Sequence, residues 1–234
     1  MTAEPSTSEY RQHRFHLPPG AADLLVVRHG ESQPARRGMT FPSRDGHADP
    51  PLDPRGRAEA ERVADRLQNE DVAAIYASTL RRTQATAAPL ASRLGLEVRV
   101  EPDLREVHLG EWEGAAFRIN VVDGHLLADR VFAEERWDVI PGAESMEALA
   151  ERVRGALLGI AAAHADQRVV VFTHGGVIGM IMALATGGRP FAFIGADNAS
   201  ITHLVVNGDR WILRRFNDTG HLGTDLDRPT EPLT

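Results

Sequence analysis

Two short apolar runs in this chain each end in a histidine followed by glycine. In Leu24-Leu25-Val26-Val27-Arg28-His29-Gly30-Glu31-Ser32, four apolar residues stop at a guanidinium and an imidazole. In Val169-Val170-Val171-Phe172-Thr173-His174-Gly175-Gly176 the same logic recurs. A buried strand gains nothing from ending in charge unless an anion sits there, because charge beside a core is costly. Neutral imidazole is a competent nucleophile near its ordinary pKa of ~6.5, and covalent catalysis divides one hard displacement into two easier ones. His29 is therefore a candidate nucleophile and Arg28 a candidate phosphoryl ligand. Gly30 permits a sharp turn or a close approach of the chain to a ligand. On these residues alone, an ordinary surface Arg-His pair at a strand end stays open.

The elements around these runs must bring them together. Apolar runs at 24–27, 72–77 and 169–172 have strand length. Asp53 and Pro54 are suited to cap and start a helix whose apolar face carries Ala60, Val63, Ala64 and Leu67. A second helical pattern spans 80–94 and stops at Gly95. Residues 96–100 alternate apolar and charged, as at a sheet edge. Residues 144–164 form an amphipathic helical pattern and 177–185 a buried one. Residues 201–206 and 211–216, joined by Asn207-Gly208-Asp209, read as a hairpin. The polar segment 33–51 reads as a solvated loop or a substrate-facing lid. Residues 102–142 are irregular, with one or two short helices expected as a cap at about 115–140. This order predicts an α/β fold, a three-layer α/β/α sandwich with a mostly parallel mixed sheet. Ligands bind beyond the carboxyl ends of strands in such sheets, where Arg28-His29-Gly30, Ser78 and Thr173-His174-Gly175 all fall.

Composition narrows the chemistry further. The 234 residues carry a formal net charge of −7, with 42% hydrophobic and 25% charged residues. That balance, with no Lys/Arg block, argues against nucleic acid as a partner. The chain has no cysteine, which excludes disulfides and thiolate catalysis and fits a cytoplasmic protein. The longest apolar stretch, 177–185, is far short of the ~20 residues of a membrane span, and the first twenty residues lack the apolar core of a signal peptide. We expect a flexible or loosely docked arm over 1–20, one domain over 21–220 and a polar tail over 221–234. The histidines show no metal-ligand spacing, so no metal site is expected.

The ordered set of segments resembles the histidine phosphatase superfamily, which includes the phosphoglycerate mutases. Arg28-His29-Gly30-Glu31-Ser32 is similar to that family's signature, and Leu52-Asp53-Pro54-Arg55-Gly56 to the segment after the first loop. Ser78-Thr79-Leu80-Arg81-Arg82-Thr83 resembles its phosphate-binding helix start, and Leu104-Arg105-Glu106 through Gly114 its acid/base segment. Pro141 to Ser145 and Thr173-His174-Gly175-Gly176 follow in order. The resemblance spans roughly 24–216 and implies the phosphoglycerate mutase-like fold. It makes His29 the residue transiently phosphorylated and Glu106 the general acid and base. Arg28 and Arg82, rather than Arg81, would clamp the phosphoryl oxygens, with His174, if protonated, as a third cationic donor and Gly175 beside it. No cofactor is implied. The substrate would be a small phosphorylated metabolite and inorganic phosphate the product.

Many relatives carry an asparagine shortly after the first glycine. Gln33-Pro34-Ala35 stands there instead, so Ser32 or Gln33 serves as donor or phosphate affinity is reduced. The form Val107-His108-Leu109-Gly110-Glu111-Trp112-Glu113-Gly114 lacks the tyrosine and long insert of the mutases and resembles the phosphatase branches. Hydrolysis of a phosphomonoester is the expected activity, phosphoglycerate mutase the alternative, and a catalytically weak phosphate-binding module the second alternative. The edge strand and the arm leave a homodimer open.

Overall fold

The apolar run that ends in Arg-His becomes β1 (Ala22–Arg28), a strand inside a six-stranded sheet. The structure, a computed structural model, describes Gln12 and residues 14–223. In chain order, β1 is followed by a small hairpin of β2 (Ser43–Arg44) and β3 (His47–Ala48), then α1 (Pro54–Leu67) and β4 (Val72–Ala77). Next come α2 (Arg81–Leu94), β5 (Val98–Val100), and two short helices, α3 (Ala116–Val122) and α4 (Leu126–Glu134). The chain closes through α5 (Met146–Ala163), β6 (Arg168–Thr173), α6 (Gly175–Thr186), β7 (Ile201–Asn207) and β8 (Arg210–Asp218).

The sheet order is β5-β4-β6-β1-β7-β8. Its first four strands are parallel, and β7 and β8 add antiparallel at the far edge. Alternation along β1 sends Leu24 and Val26 to one face, with Leu149, Val153 and Leu157 of α5 and Ile178 and Ile181 of α6. Leu25 and Val27 face the other way, with Val63 and Leu67 of α1 and Leu90 of α2. The three-layer α/β sandwich expected from the element order is the one observed, and β5 lies at the sheet edge as its alternation implied.

Local signals explain several boundaries. The Asp53 carboxylate accepts from the Gly56 N–H to cap α1, and Gly95 closes α2 in the left-handed conformation, φ 66°. Helix α6 begins two residues earlier than its apolar pattern suggests, so Gly175 and Gly176 form its first turn. Segment 33–51 contains the β2–β3 hairpin, turned at Asp45 and Gly46 with φ 51° and 84°. Asp-Gly is a favoured hairpin turn. Part of the expected arm is docked: the Arg214 guanidinium lies over the Phe15 ring, and the Gly20 N–H donates to Asp166. Residues 1–11, 13 and 224–234, covering most of that arm and of the polar tail, lie outside the described residues. Among the described residues no helix is long and apolar enough to cross a membrane.

Gly30 has no special φ; its role is close approach. A Cβ on Gly30 would sit 2.5 Å from the Gly56 carbonyl oxygen, and one on Gly56 only 2.0 Å from that of Glu31. The first turn of α1 is thereby pressed onto the loop that carries His29, and the Asp53 N–H donates to the Glu31 carbonyl (3.1 Å). Gly56→Ala is expected to destabilise the fold by about 1–3 kcal/mol through overpacking of rigid backbone. A urea midpoint equal to that of the wild type would contradict this.

Candidate active site

Three parallel strands stop at one level and deliver the polar residues. Arg28 pairs with Thr173 across β1 and β6, and Ala77 with Phe172 across β4 and β6. The His29 N–H donates to the Thr173 carbonyl (3.0 Å), and the Ser78 N–H to that of Phe172 (3.3 Å). The His29 and His174 rings therefore stand edge to face, with centroids 5.1 Å apart.

The neighbours of His29 fix its tautomer. Nδ1 lies 2.7 Å from the Gly30 carbonyl oxygen, which can only accept, so Nδ1 carries the proton. Nε2 accepts from Arg82 Nε at 3.2 Å and keeps its lone pair. Burial, then the Arg82 and Arg28 guanidinium groups, holds the His29 imidazole well below the usual 6.5. The nitrogen needed for attack is thus unprotonated at neutral pH.

Arg82 also donates to the Ala48 carbonyl (2.8 Å). Burial lowers its pKa to about 10 against the opposing pull of Glu106, so it remains cationic. Arg81, its neighbour on α2, turns away to pair with Asp49 (3.2 Å). Successive helical residues diverge by about 100°, and only one of the two can face the site. Arg28 donates to the Ala196 carbonyl at 2.5 Å.

His174 Nε2 lies 2.8 Å from Ser78 Oγ, while Nδ1 is buried without a hydrogen-bond partner. Burial, then Arg82, holds its pKa well below 6.5. In this structure His174 is therefore a neutral ring at neutral pH, not the third cation considered for it. A third guanidinium lines the cavity, that of Arg118 on α3, a residue not marked by any motif. Its guanidinium donates to Ser32 Oγ (2.7 Å) and to the Gln33 carbonyl (3.0 Å). Burial, then the Arg28 charge, lowers its pKa. Ser32 and Gln33 stand behind Arg118 and do not line the cavity. No sequence signal marked Arg118, because its direction depends on how the cap docks against the loop after β1.

Glu106 faces the two arginines from the loop after β5. Its carboxylate accepts from the Val107 N–H (2.9 Å) and the Gly176 N–H (3.3 Å). A Cβ at position 176 would lie 2.8 Å from Glu106 Oε1, so only glycine admits this approach. Arg152 of α5 braces the segment, donating to the carbonyls of Asp103, Arg105 and Glu106 and pairing with Glu144 (2.7 Å). Thr173 Oγ1 donates to the Leu104 carbonyl (2.9 Å). Asn198, on the loop before β7, donates to the His29 carbonyl (2.8 Å). These residues enclose a cavity of about 130 Å³ with Arg28, His29, Arg82, Glu106, Gly175 and Arg118 in its wall. Among the described residues no group of three or more His, Asp or Glu side chains is arranged to hold a metal ion.

The depressed histidines have a consequence for stability. Burial and Arg105 push His47, on β3 in the cavity wall, down to about 4. The unfolded chain takes up protons on these imidazoles as the pH falls through about 6.5, while the native chain does not. The unfolded state binds more protons in that window, so stability is lost on acidification. Each of His29, His174 and His47 contributes at most about 1.4 kcal/mol per pH unit below that point. Unfolding free energies from urea titrations are expected to fall between pH 7 and pH 5; a flat profile would contradict the burial of neutral rings.

Two imidazoles, three arginines and a carboxylate thus gather beyond the carboxyl ends of the parallel strands. Residues 24–219 match the family model of the histidine phosphatase superfamily, branch 1, and the chain belongs to that family. It is 37% identical over 207 residues to phosphoglycerate mutase-like protein 4 of Arabidopsis thaliana, covering 86% of this chain and 87% of that protein. It is 30% identical over 205 residues to a metal-independent phosphoserine phosphatase of the same plant, covering 86% and 84% of the two chains. The native structure of a mycobacterial glucosyl-3-phosphoglycerate phosphatase superposes with a TM-score of 0.69 at 30% identity, covering 85% of this chain and 100% of that one.

Proposed function

We propose that this protein hydrolyses a small phosphomonoester, without a metal ion, through a phosphohistidine formed on His29. The observation that carries this reading is the His29 ring itself: Nδ1–H is committed to the Gly30 carbonyl, and the Nε2 lone pair is held toward Arg82. Nε2 attacks phosphorus, the phosphorus–oxygen ester bond breaks, and the leaving oxygen takes a proton from the Glu106 carboxyl. Water then attacks the phosphohistidine, and the Glu106 carboxylate takes its proton. The nitrogen–phosphorus bond breaks, inorganic phosphate departs and Nε2 regains its lone pair.

Arg28, Arg82 and Arg118 hold the transferring group through charge-assisted contacts. Arg118 supplies the donor that the missing asparagine would otherwise provide, with Ser32 and Gln33 as its anchors. If the Ser78 hydroxyl donates to His174 Nε2, the proton of that neutral ring lies on Nδ1, which can donate to a phosphoryl oxygen. The N–H groups at the start of α6 favour the same anion. Fixed donors of this kind lower the barrier without reorganising during the reaction.

The test is turnover of p-nitrophenyl phosphate in excess EDTA, beside an assay of 3-phosphoglycerate with catalytic bisphosphoglycerate. Undiminished hydrolysis and negligible isomerisation are expected. EDTA-sensitive hydrolysis would contradict the metal-independent mechanism, and isomerisation faster than hydrolysis would favour the mutase.

A further inference from the structure

The cavity wall beyond the phosphoryl end is almost entirely aromatic and aliphatic. Phe41, Leu109, Trp112, Phe117, Trp137 and Ile194 form most of it. The rings brace one another, with Trp112 and Phe117 centroids 6.2 Å apart, Phe117 and Trp137 5.8 Å, and Trp137 and Phe191 4.8 Å. This wall is thus fixed before any ligand arrives, and a preorganised apolar surface binds without an ordering cost.

Most polar side chains in the same wall are already engaged or belong to the phosphoryl end, while His47 Nδ1 is buried without a hydrogen-bond partner. Glu113 accepts from the Ala48 N–H (2.6 Å) with one carboxylate oxygen and from the Leu109 N–H (2.9 Å) with the other. Arg118 is held by Ser32 and Gln33. His47 is buried edge-on to His108, centroids 5.3 Å apart. Trp137 Nε1–H is buried without a hydrogen-bond partner. Among the described residues lining the cavity there is no Asp, Asn, Gln, Ser, Thr, Tyr or Lys.

We infer that the site selects phosphate monoesters of a compact apolar alcohol, aromatic or branched, over esters of sugars, glycerol or amino acids. The inference rests on the hydrolytic reading above and names the leaving group for it. A polyhydroxylated leaving group entering this cavity gives up water and finds no Asp, Asn, Gln, Ser, Thr, Tyr or Lys side chain to replace it, and stranded polar groups weaken binding. An ammonium group would meet Arg118 and no carboxylate with an unoccupied oxygen, since both oxygens of Glu106 and of Glu113 accept backbone N–H groups. An apolar ring instead replaces water against Trp137 and Phe117, where even one methylene is worth roughly 10- to 200-fold in discrimination.

The test compares esters whose leaving alcohols are all alkyl, so that leaving-group basicity does not set the order. Benzyl phosphate, glycerol 3-phosphate, glucose 6-phosphate, phosphoserine and 3-phosphoglycerate are assayed for kcat/KM on the full chain. Benzyl phosphate is expected to lead the others by at least about tenfold. Phe117→Asn, at a half-buried position, is expected to shrink the ratio of benzyl to glycerol ester several-fold. Phosphoserine, 3-phosphoglycerate or a sugar phosphate at or above benzyl phosphate overturns the inference while leaving hydrolysis standing, as does a ratio unmoved by Phe117→Asn. No hydrolysis of any ester, with no phosphohistidine trapped, overturns the hydrolytic reading and this inference with it.

Discussion

His29→Ala is expected to cut hydrolysis of every phosphomonoester by about 10⁴- to 10⁶-fold, the scale on which a covalent nucleophile is lost. The alanine removes the imidazole whose Nε2 lone pair is held toward Arg82. It leaves the hydrogen bonds of Arg28 to Ala196, of Arg82 to Ala48 and of Arg118 to Ser32 in place and removes the Arg82 Nε bond to the imidazole. Phosphate binding is therefore expected to survive with a much smaller change than turnover. Equilibrium dialysis with labelled inorganic phosphate separates the two effects. Turnover within tenfold of the wild type would place the nucleophile elsewhere.

Glu106→Gln is expected to produce a loss that depends on the leaving group. An alkoxide must be protonated as it departs, and general acid catalysis contributes about 10²- to 10⁴-fold. Alkyl phosphates should lose activity on that scale in the first chemical step. The p-nitrophenolate ion leaves without a proton, so its phosphoryl transfer to His29 should stay fast while attack by water slows. Stopped-flow mixing of the variant with p-nitrophenyl phosphate should then show a stoichiometric burst and a slow steady state. Equal losses for both ester types in the first turnover would deny Glu106 its role as acid. The amide retains the shape of the carboxyl beside Gly176, and Arg152 and Thr173 still hold the Glu106 backbone segment.

The sequence carried the frame of this site because strands and their ends are local features. The apolar runs before Arg28, Ser78 and His174 name three strands, and parallel order places their ends side by side. The choice of Arg82 over Arg81 followed from the family resemblance after Ser78, helix geometry requiring only that the two diverge, and the structure has Arg82 facing His29 and Arg81 facing Asp49. The β2–β3 hairpin was readable in principle from Asp45-Gly46, but its strands are two residues each and carry no periodicity. That hairpin matters because the Ala48 carbonyl holds Arg82 and its N–H holds Glu113. Arg118 and Arg152 were not legible. Each sits among ordinary charged residues on a helix, and only the docking of α3 beside the loop after β1, or of α5 against the acid segment, turns it inward. The neutrality of His174 was likewise hidden, since it follows from burial that no local pattern records.

The most direct measurement is rapid acid-free quenching of the enzyme during turnover of a ³²P-labelled ester, followed by peptide mapping. Acid-labile, alkali-stable label on Nε2 of His29 is the expected result, absent in His29→Ala and accumulating in Glu106→Gln with a good leaving group. Label on His174, or sustained turnover with no phosphohistidine at all, would contradict covalent capture by His29.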